Sequence, residues 1–183
     1  MNKESQLIAN LKNKTTQNKA FETLLNQYKE PLYWHIRKIV LNHADADDVL
    51  QNTFVKIFRG ISNFKGDSKL YTWMYRIATN ESLNFLKVKA KKYFNSSEIM
   101  MKTLVNSLKE DPYFDGDELQ IKLQVLISKL PDKQKLVFQM KYEQNMKYKD
   151  ISKILETSVG SLKASYHIAV KKIKDEIEKI QTF

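Results

Sequence analysis

The string Ser158-Val159-Gly160-Ser161-Leu162-Lys163 places small residues where an apolar-periodic run begins, with a cation one turn further on. Small side chains let the backbone come close to a phosphate. The free N–H groups and positive dipole end of a helix start favour an anion there. Ser158 suits the N-cap, and Lys163, Lys171 and Lys172 add positive charge along the same direction. The preceding residues, 148–155, form one short amphipathic helix, and Glu156-Thr157-Ser158 forms a turn. Helix, turn and second helix at this spacing suit a helix-turn-helix spanning 148–168. Ile151, Ile154, Leu155, Val159, Leu162, Tyr166 and Ala169 are expected at its centre. Ser158, Gly160, Ser161, Lys163, Ala164 and His167 are left at or near the outer face. An ordinary helical hairpin is the structural alternative.

The remaining composition points away from bond-making chemistry. The chain has no cysteine, which excludes disulfides and cysteine-ligated zinc. His35, His43 and His167 are scattered without metal-ligand spacing. No P-loop, Ser/His arrangement or paired-carboxylate metal site is evident. No catalytic residue, metal or cofactor is therefore expected. No apolar run approaches the roughly 18–20 residues of a membrane span, and the N-terminus lacks the apolar stretch of a signal peptide. No membrane insertion is expected, and the cytoplasm is the expected compartment.

Net charge is +10, distributed in blocks. Residues 1–92 carry 16 Lys/Arg against 8 Asp/Glu, residues 93–118 carry 2 against 6, and residues 119–183 carry 13 against 7. Two basic blocks thus flank an acidic connector. They fit either two polyanion contacts or two ordinary lysine-rich surfaces, since lysine supplies 28 of the 31 cations. Only four glycines and three prolines in 183 residues favour helices over a many-turned β-architecture.

The periodicity predicts an all-α fold of two small helical domains joined by an acidic linker. Residues 1–19 form a polar segment, 20–92 the first domain, 93–118 the linker and 119–183 the second domain. Helices are predicted over 19–28 and 32–41, with Pro31 in the first turn of the second. Asn42-His43-Ala44 reads as a break and Asp45 as the cap of a helix over 46–58, with Val49, Leu50, Phe54 and Ile57 inward. Gly60 ends it, and 61–69 reads as an irregular loop. A long helix over 70–89 turns Trp73, Ile77, Leu83 and Leu86 inward and Arg76, Asn80, Lys87 and Lys89 outward. Leu119, Leu123, Leu126, Ile127 and Leu130 form the next stripe. Asp132 then starts a helix that Asn145 breaks, and helices follow over 148–155 and 159–180.

Two blocks carry a family resemblance. The first is Asp45-Ala-Asp-Asp-Val-Leu-Gln-Asn-Thr-Phe-Val-Lys-Ile-Phe58, followed by Phe64-Lys-Gly-Asp-Ser68 and Tyr71-Thr-Trp-Met-Tyr-Arg-Ile-Ala-Thr-Asn80. The second is Leu130-Pro131-Asp132-Lys133-Gln134 and Tyr148 through Lys163. In this order they resemble domains two and four of bacterial RNA polymerase sigma factors of the sigma-70 family, extracytoplasmic-function group. The likeness spans 20–90 and 119–178.

The resemblance implies a promoter-specificity factor with no catalysis of its own. Its partners would be core RNA polymerase and promoter DNA. An anti-sigma factor is common in the resembled group. Asp47, Asp48, Gln51, Asn52, Phe54 and Lys56 would dock on the clamp helices of the largest polymerase subunit. Asn63, Phe64, Lys65, Gly66, Asp67, Ser68 and Lys69 would receive an unstacked base of the downstream promoter element. Tyr71, Thr72, Trp73, Arg76 and Asn80 would line the adjoining DNA-facing helix, although residues such as Trp73 and Tyr75 are more often core aromatics. Ser158, Gly160, Ser161, Lys163, Ala164, His167 and Lys171 would read the upstream element, and that domain would touch the polymerase flap tip. The acidic linker would thread toward the active-site and RNA-exit channels, as an RNA mimic or as a solvated spacer.

Two departures stand out. Glu156 occupies the turn where the family usually has glycine, and Ala164-Ser165 replaces a frequent Ser-Arg. The alternatives are a helix-turn-helix regulator that needs no polymerase core, and an enzyme acting on nucleic acid.

Overall fold

Leu24, Leu32, Ile36 and Val40 recur at helical spacing, and all four are buried along one continuous helix. The computed structural model describes residues 3–92, 105–106 and 118–181. The linker reading, 93–118, therefore lies almost wholly outside the described residues. The chain divides into two compact units, residues 1–92 and 93–183.

The first unit contains α1 (Lys3–Lys12), α2 (Gln17–Val40), α3 (His43–Gly60), a 3-10 turn (Ile61–Asn63) and α4 (Leu70–Lys92). Its core gathers Leu11, Leu24, Leu32, Ile36, Ala46, Val49, Ile57, Ile61, Leu70, Met74 and Ala78. The structure differs from the sequence reading at four places here. The two helices expected before residue 42 are one, and α2 runs through Pro31. Pro31 and Gln27 both face solvent, so water can serve the Gln27 carbonyl that the proline leaves unbonded. The cap of α3 is Asn42, whose Oδ1 accepts the Asp45 N–H at 3.0 Å, so Asp45 sits inside the first turn instead. From there Asp45 forms an ion pair with Lys89 of α4. Residues 3–12, read as part of a polar segment, form a helix that buries Leu11 and packs Leu7 and Ile8 on the core. The inward line of α4 is Leu70, Met74, Ala78 and Ser82, with Trp73, Ile77 and Leu86 on the margin of the core.

The second unit contains α5 (Glu118–Ser128), α6 (Asp132–Phe138), a π turn (Gln139–Glu143), α7 (Tyr148–Leu155) and α8 (Val159–Gln181). Leu126, Ile127, Leu130, Phe138, Ala169 and Ile173 form a core cluster, edged by Leu123, Tyr166 and Ile177. Phe138 stacks between Tyr142 at 5.1 Å and Tyr166 at 6.0 Å. Gln144 caps the π turn, and Asn145 after it takes a left-handed backbone, φ +50°. Leu119, expected in the stripe, is 60% exposed, and Val159 also lies at the surface.

Ile57 has no exposure, whereas Val55 two residues earlier is 46% exposed. Ile57→Ala should destabilise the first unit by roughly 2–5 kcal/mol, and Val55→Ala by less than about 0.5 kcal/mol. Urea unfolding of the two variants checks this; equal effects would contradict the register of α3.

Candidate nucleic-acid interface

The register that buries Val49, Phe54 and Ile57 turns a different stripe of α3 to solvent. Asp48, Gln51, Asn52, Val55 and Arg59 are exposed at one helical face's spacing. This is the helix that the resemblance assigns to polymerase docking. Phe54, assigned to that face, is a correction: it is 8% exposed and meets Phe21 edge-on at 6.2 Å within the core. Asp47 is half-buried and lies 3.5 Å from the His43 ring. Lys56 is exposed and pairs with Glu81 of α4 at 2.5 Å. The sequence reading missed Val55 and Arg59. The available signal was an apolar residue one turn from the polar pair Gln51 and Asn52, on the side away from the core.

The segment after α3 keeps its aromatic out of solvent. Phe64 is 4% exposed and packs against Trp73 at 5.2 Å, so it is not free to stack on a base. Trp73 in turn covers Gly60: a Cβ added there would lie 3.4 Å from the indole. Thr72 is also buried. These are corrections for Phe64 and Thr72, whose side chains belong to the interior. Asn63, Lys65, Gly66, Asp67 and Lys69 are exposed, and Ser68 is half-buried with its hydroxyl donating to the Lys69 carbonyl at 3.3 Å. Gly66 has φ +82°, a conformation that disfavours any side chain. Along α4, Arg76 is half-buried and Asn80 exposed, and Asn84 and Lys87 extend the line. Tyr71 is half-buried and meets Tyr75 edge-on at 5.6 Å. Burial raises the Tyr75 hydroxyl pKa, with a further push from Tyr28.

In the second unit the helix-turn-helix has the predicted bounds at 148–155 and from 159 onward. Its turn closes on itself. Glu156 takes a left-handed backbone, φ +50°, and donates its N–H to the Ser152 carbonyl. The Thr157 N–H reaches the same carbonyl at 3.2 Å, and the Ser152 hydroxyl donates to the Thr157 carbonyl at 2.7 Å. Ser158 Oγ accepts the Ser161 N–H at 3.2 Å, the cap expected of it. Gly160, Lys163, Ala164, His167 and Lys171 are exposed at positions that share one helical face, and Ser161 is half-buried beside them. Apart from its chain neighbours and its own helix backbone, no atom lies within 4 Å of where a Cβ on Gly160 would stand, so this backbone is open to a partner. Lys172, expected to line up with Lys163 and Lys171, reaches Gln134 at 3.2 Å instead. Lys133 of α6 donates to the Ser161 hydroxyl at 3.3 Å. It adds a cation beside the start of α8 that periodicity along α8 alone could not reveal. Among the described residues, no group of three or more His, Asp or Glu could hold a metal ion, and no helix is long and apolar enough to cross a membrane.

Residues 24–92 match the family described as Sigma-70 region 2, and residues 120–173 match Sigma-70, region 4. The chain is 30% identical over 156 residues to the ECF RNA polymerase sigma factor SigW of Bacillus subtilis, covering 81% of this chain and 83% of that protein. The chain belongs to the extracytoplasmic-function sigma factors. The ECF RNA polymerase sigma-E factor of Escherichia coli is 27% identical over 169 residues, 87% of each chain. Among solved structures, CnrH in complex with the cytosolic domain of CnrY superposes with a TM-score of 0.70 at 18% identity, covering 96% of this chain and 97% of that one. The sigma factor RpoE of Bartonella quintana, in complex with the anti-sigma factor NepR, gives 0.66 at 16% identity, covering 87% and 98%. At those identities the likeness concerns the fold: all-helical, with two sigma domains. As a sigma factor this protein is not an enzyme; it binds core RNA polymerase and promoter DNA and directs the polymerase to promoters. The region 2 match sets aside the regulator that needs no polymerase.

Glu156→Gly should stabilise the second unit by about 1 kcal/mol, because glycine meets no Cβ penalty in the left-handed region. Thermal unfolding measures the gain. A loss of stability instead would mean that the glutamate side chain repays the backbone strain.

Proposed function

We propose that this sigma factor divides its work by helix face. The exposed stripe of α3, built on Asp48, Gln51, Asn52 and Val55, meets the clamp helices of the largest polymerase subunit. The exposed residues Asn63, Lys65, Asp67 and Lys69, with Arg76 and Asn80 of α4, take the downstream promoter element and help to open it. Gly160, Ser161, Lys163, Ala164, His167 and Lys171, joined by Lys133, read the upstream element in the major groove, and this domain touches the flap tip. The single observation that carries the reading is the outer face of α8: small residues at its start, an open glycine, and cations at the following turns. That combination suits phosphate approach at a helix N-terminus and base reading along the groove.

The protein works in the cytoplasm, beside the polymerase. An anti-sigma factor regulates it, a proposal supported by the partners named for CnrH and for the Bartonella quintana protein.

Run-off transcription with purified core polymerase and a promoter library tests the whole reading. Initiation at a shared two-element motif, dependent on this protein, is the expected result. Lys163→Glu should weaken upstream-element binding while core assembly stays intact; equal loss of both would count against the domain assignment. The neutral Lys163→Gln should lower the slope of log K against log salt by roughly 0.9, the value of one phosphate contact. In a pull-down, Asp48→Arg with Gln51→Ala should weaken capture of the core. Undiminished capture would remove α3 from that interface.

A further inference from the structure

Helix α1 touches both ends of the segment that carries the loop residues 65–69, all exposed but Ser68. Lys12 Nζ donates to the Phe64 carbonyl at 2.6 Å, across 52 positions of chain. Glu4 Oε1 accepts the Leu70 N–H at 2.9 Å, across 66 positions. Phe64 and Leu70 are the residues immediately before and after the loop, and both side chains are buried. The contacts leave α1 two turns apart, about 12 Å along the helix axis at 1.5 Å per residue. A rigid rod of fixed length thus joins the two ends of a five-residue loop.

The rod is itself anchored. Leu11 is fully buried, and Leu7 and Ile8 pack on the core of the unit. The Thr16 hydroxyl donates to the Asn10 carbonyl at 2.8 Å, fastening the connection between α1 and α2. Glu4 also lies near enough to Tyr28 of α2 to add to the rise that burial gives its hydroxyl pKa. The Leu70 amide is one of the N–H groups at the start of α4 that has no partner within its own helix. A carboxylate from a different element fills that need, and its charge complements the positive end of α4. The hydroxyl of Ser68, the nearest local candidate, donates to the Lys69 carbonyl instead.

We propose that α1 is a clamp that presets the shape of the downstream-element loop, with Glu4 and Lys12 as positioning residues for base recognition. The proposal rests on the reading of residues 63–69 as the loop that receives a promoter base. A loop held at both ends before binding loses less conformational freedom when a base enters. Neither residue touches the base; both act through the backbone of Phe64 and Leu70.

The test uses the full chain with core polymerase and a promoter library randomised only in the downstream element. Amide hydrogen exchange of the free protein is the second readout. Glu4→Ala and Lys12→Met should each speed exchange of the Leu70 amide or the loop amides. Each should also flatten base preference in the downstream element by about tenfold, the scale of one charge-assisted hydrogen bond. Glu4→Gln keeps an acceptor oxygen and should restore most of the preference, and Lys12→Arg should do the same for its contact. Upstream-element binding and core assembly should change by less than about twofold, since one hydrogen bond at this loop leaves those surfaces intact. Unchanged exchange in both alanine and methionine variants would overturn the clamp. Equal losses at every promoter and in core assembly would overturn it too, by reducing Glu4 and Lys12 to stability alone. A control with Lys65→Ala and Asp67→Ala separates the premise from the proposal. If it leaves downstream preference intact, the loop does not read the base and the proposal falls with that reading, whatever the exchange data show.

Discussion

Ile57 is buried to its last atom, and an α-helix allows about 100° between successive side chains. Those two facts fix where Gln51, Asn52 and Val55 point. The same constraint governs each functional element of the protein. Met74 and Ala78 in the core leave Asn80 outward, and Leu162 and Ala169 in the core leave Lys163, His167 and Lys171 outward. Apart from the loop at 63–69, the surfaces described here lie on helices. Each is the complement of a buried stripe, and precision outside depends on packing inside.

The helices of the first unit are also joined by buried and partly buried polar groups. Asp45 of α3 holds Lys89 of α4, and its charge also bears on the buried Arg37 of α2. Burial pulls the Arg37 pKa down, while Tyr33 and then Asp45 push it back up. On α4, the Thr79 hydroxyl meets the buried His35 ring at 2.8 Å and also donates to the Tyr75 carbonyl, while Ser82 bonds the Ala78 carbonyl. Small and hydroxylated residues let α4 lie close to its neighbours with these polar atoms satisfied. Of these contacts, His35–Thr79 and Asp45–Lys89 cross between helices and act with the apolar stripe to fix the rotation of α4.

That dependence explains what the sequence disclosed. The helix-turn-helix was legible in its bounds, because Ile151, Ile154 and Leu162 follow one period and Ser158 is a good cap, although Val159, expected at its centre, lies at the surface. Helix α4 was legible as a helix but not in its rotation, since Ala78, Thr79 and Ser82 carry no hydrophobic signal. Asn42 and Asp45 are both good cap residues three positions apart, so composition could not choose between them. Pro31 resembled a helix start because exposure at Gln27, the fact that lets the helix continue, is tertiary. Phe54 and Phe64 presented the same difficulty: an aromatic in a motif can serve a partner or a core, and only burial decides. Leu7, Ile8 and Leu11 had helical spacing, but the core they pack on is built mostly by helices that follow in the chain.

Gly160 illustrates how far recognition is separated from folding. It has an ordinary backbone conformation, and no atom of the protein stands where its side chain would grow. The same is true in kind of Ala164, a small residue on the outer face of the same helix. Sites of this sort carry little structural debt, so selection is free to try other side chains there while the core of Leu162, Ala169 and Ile173 stays as it is. A duplicated copy of the gene could drift toward a new set of promoters through single substitutions, each intermediate remaining folded and competent to bind its polymerase.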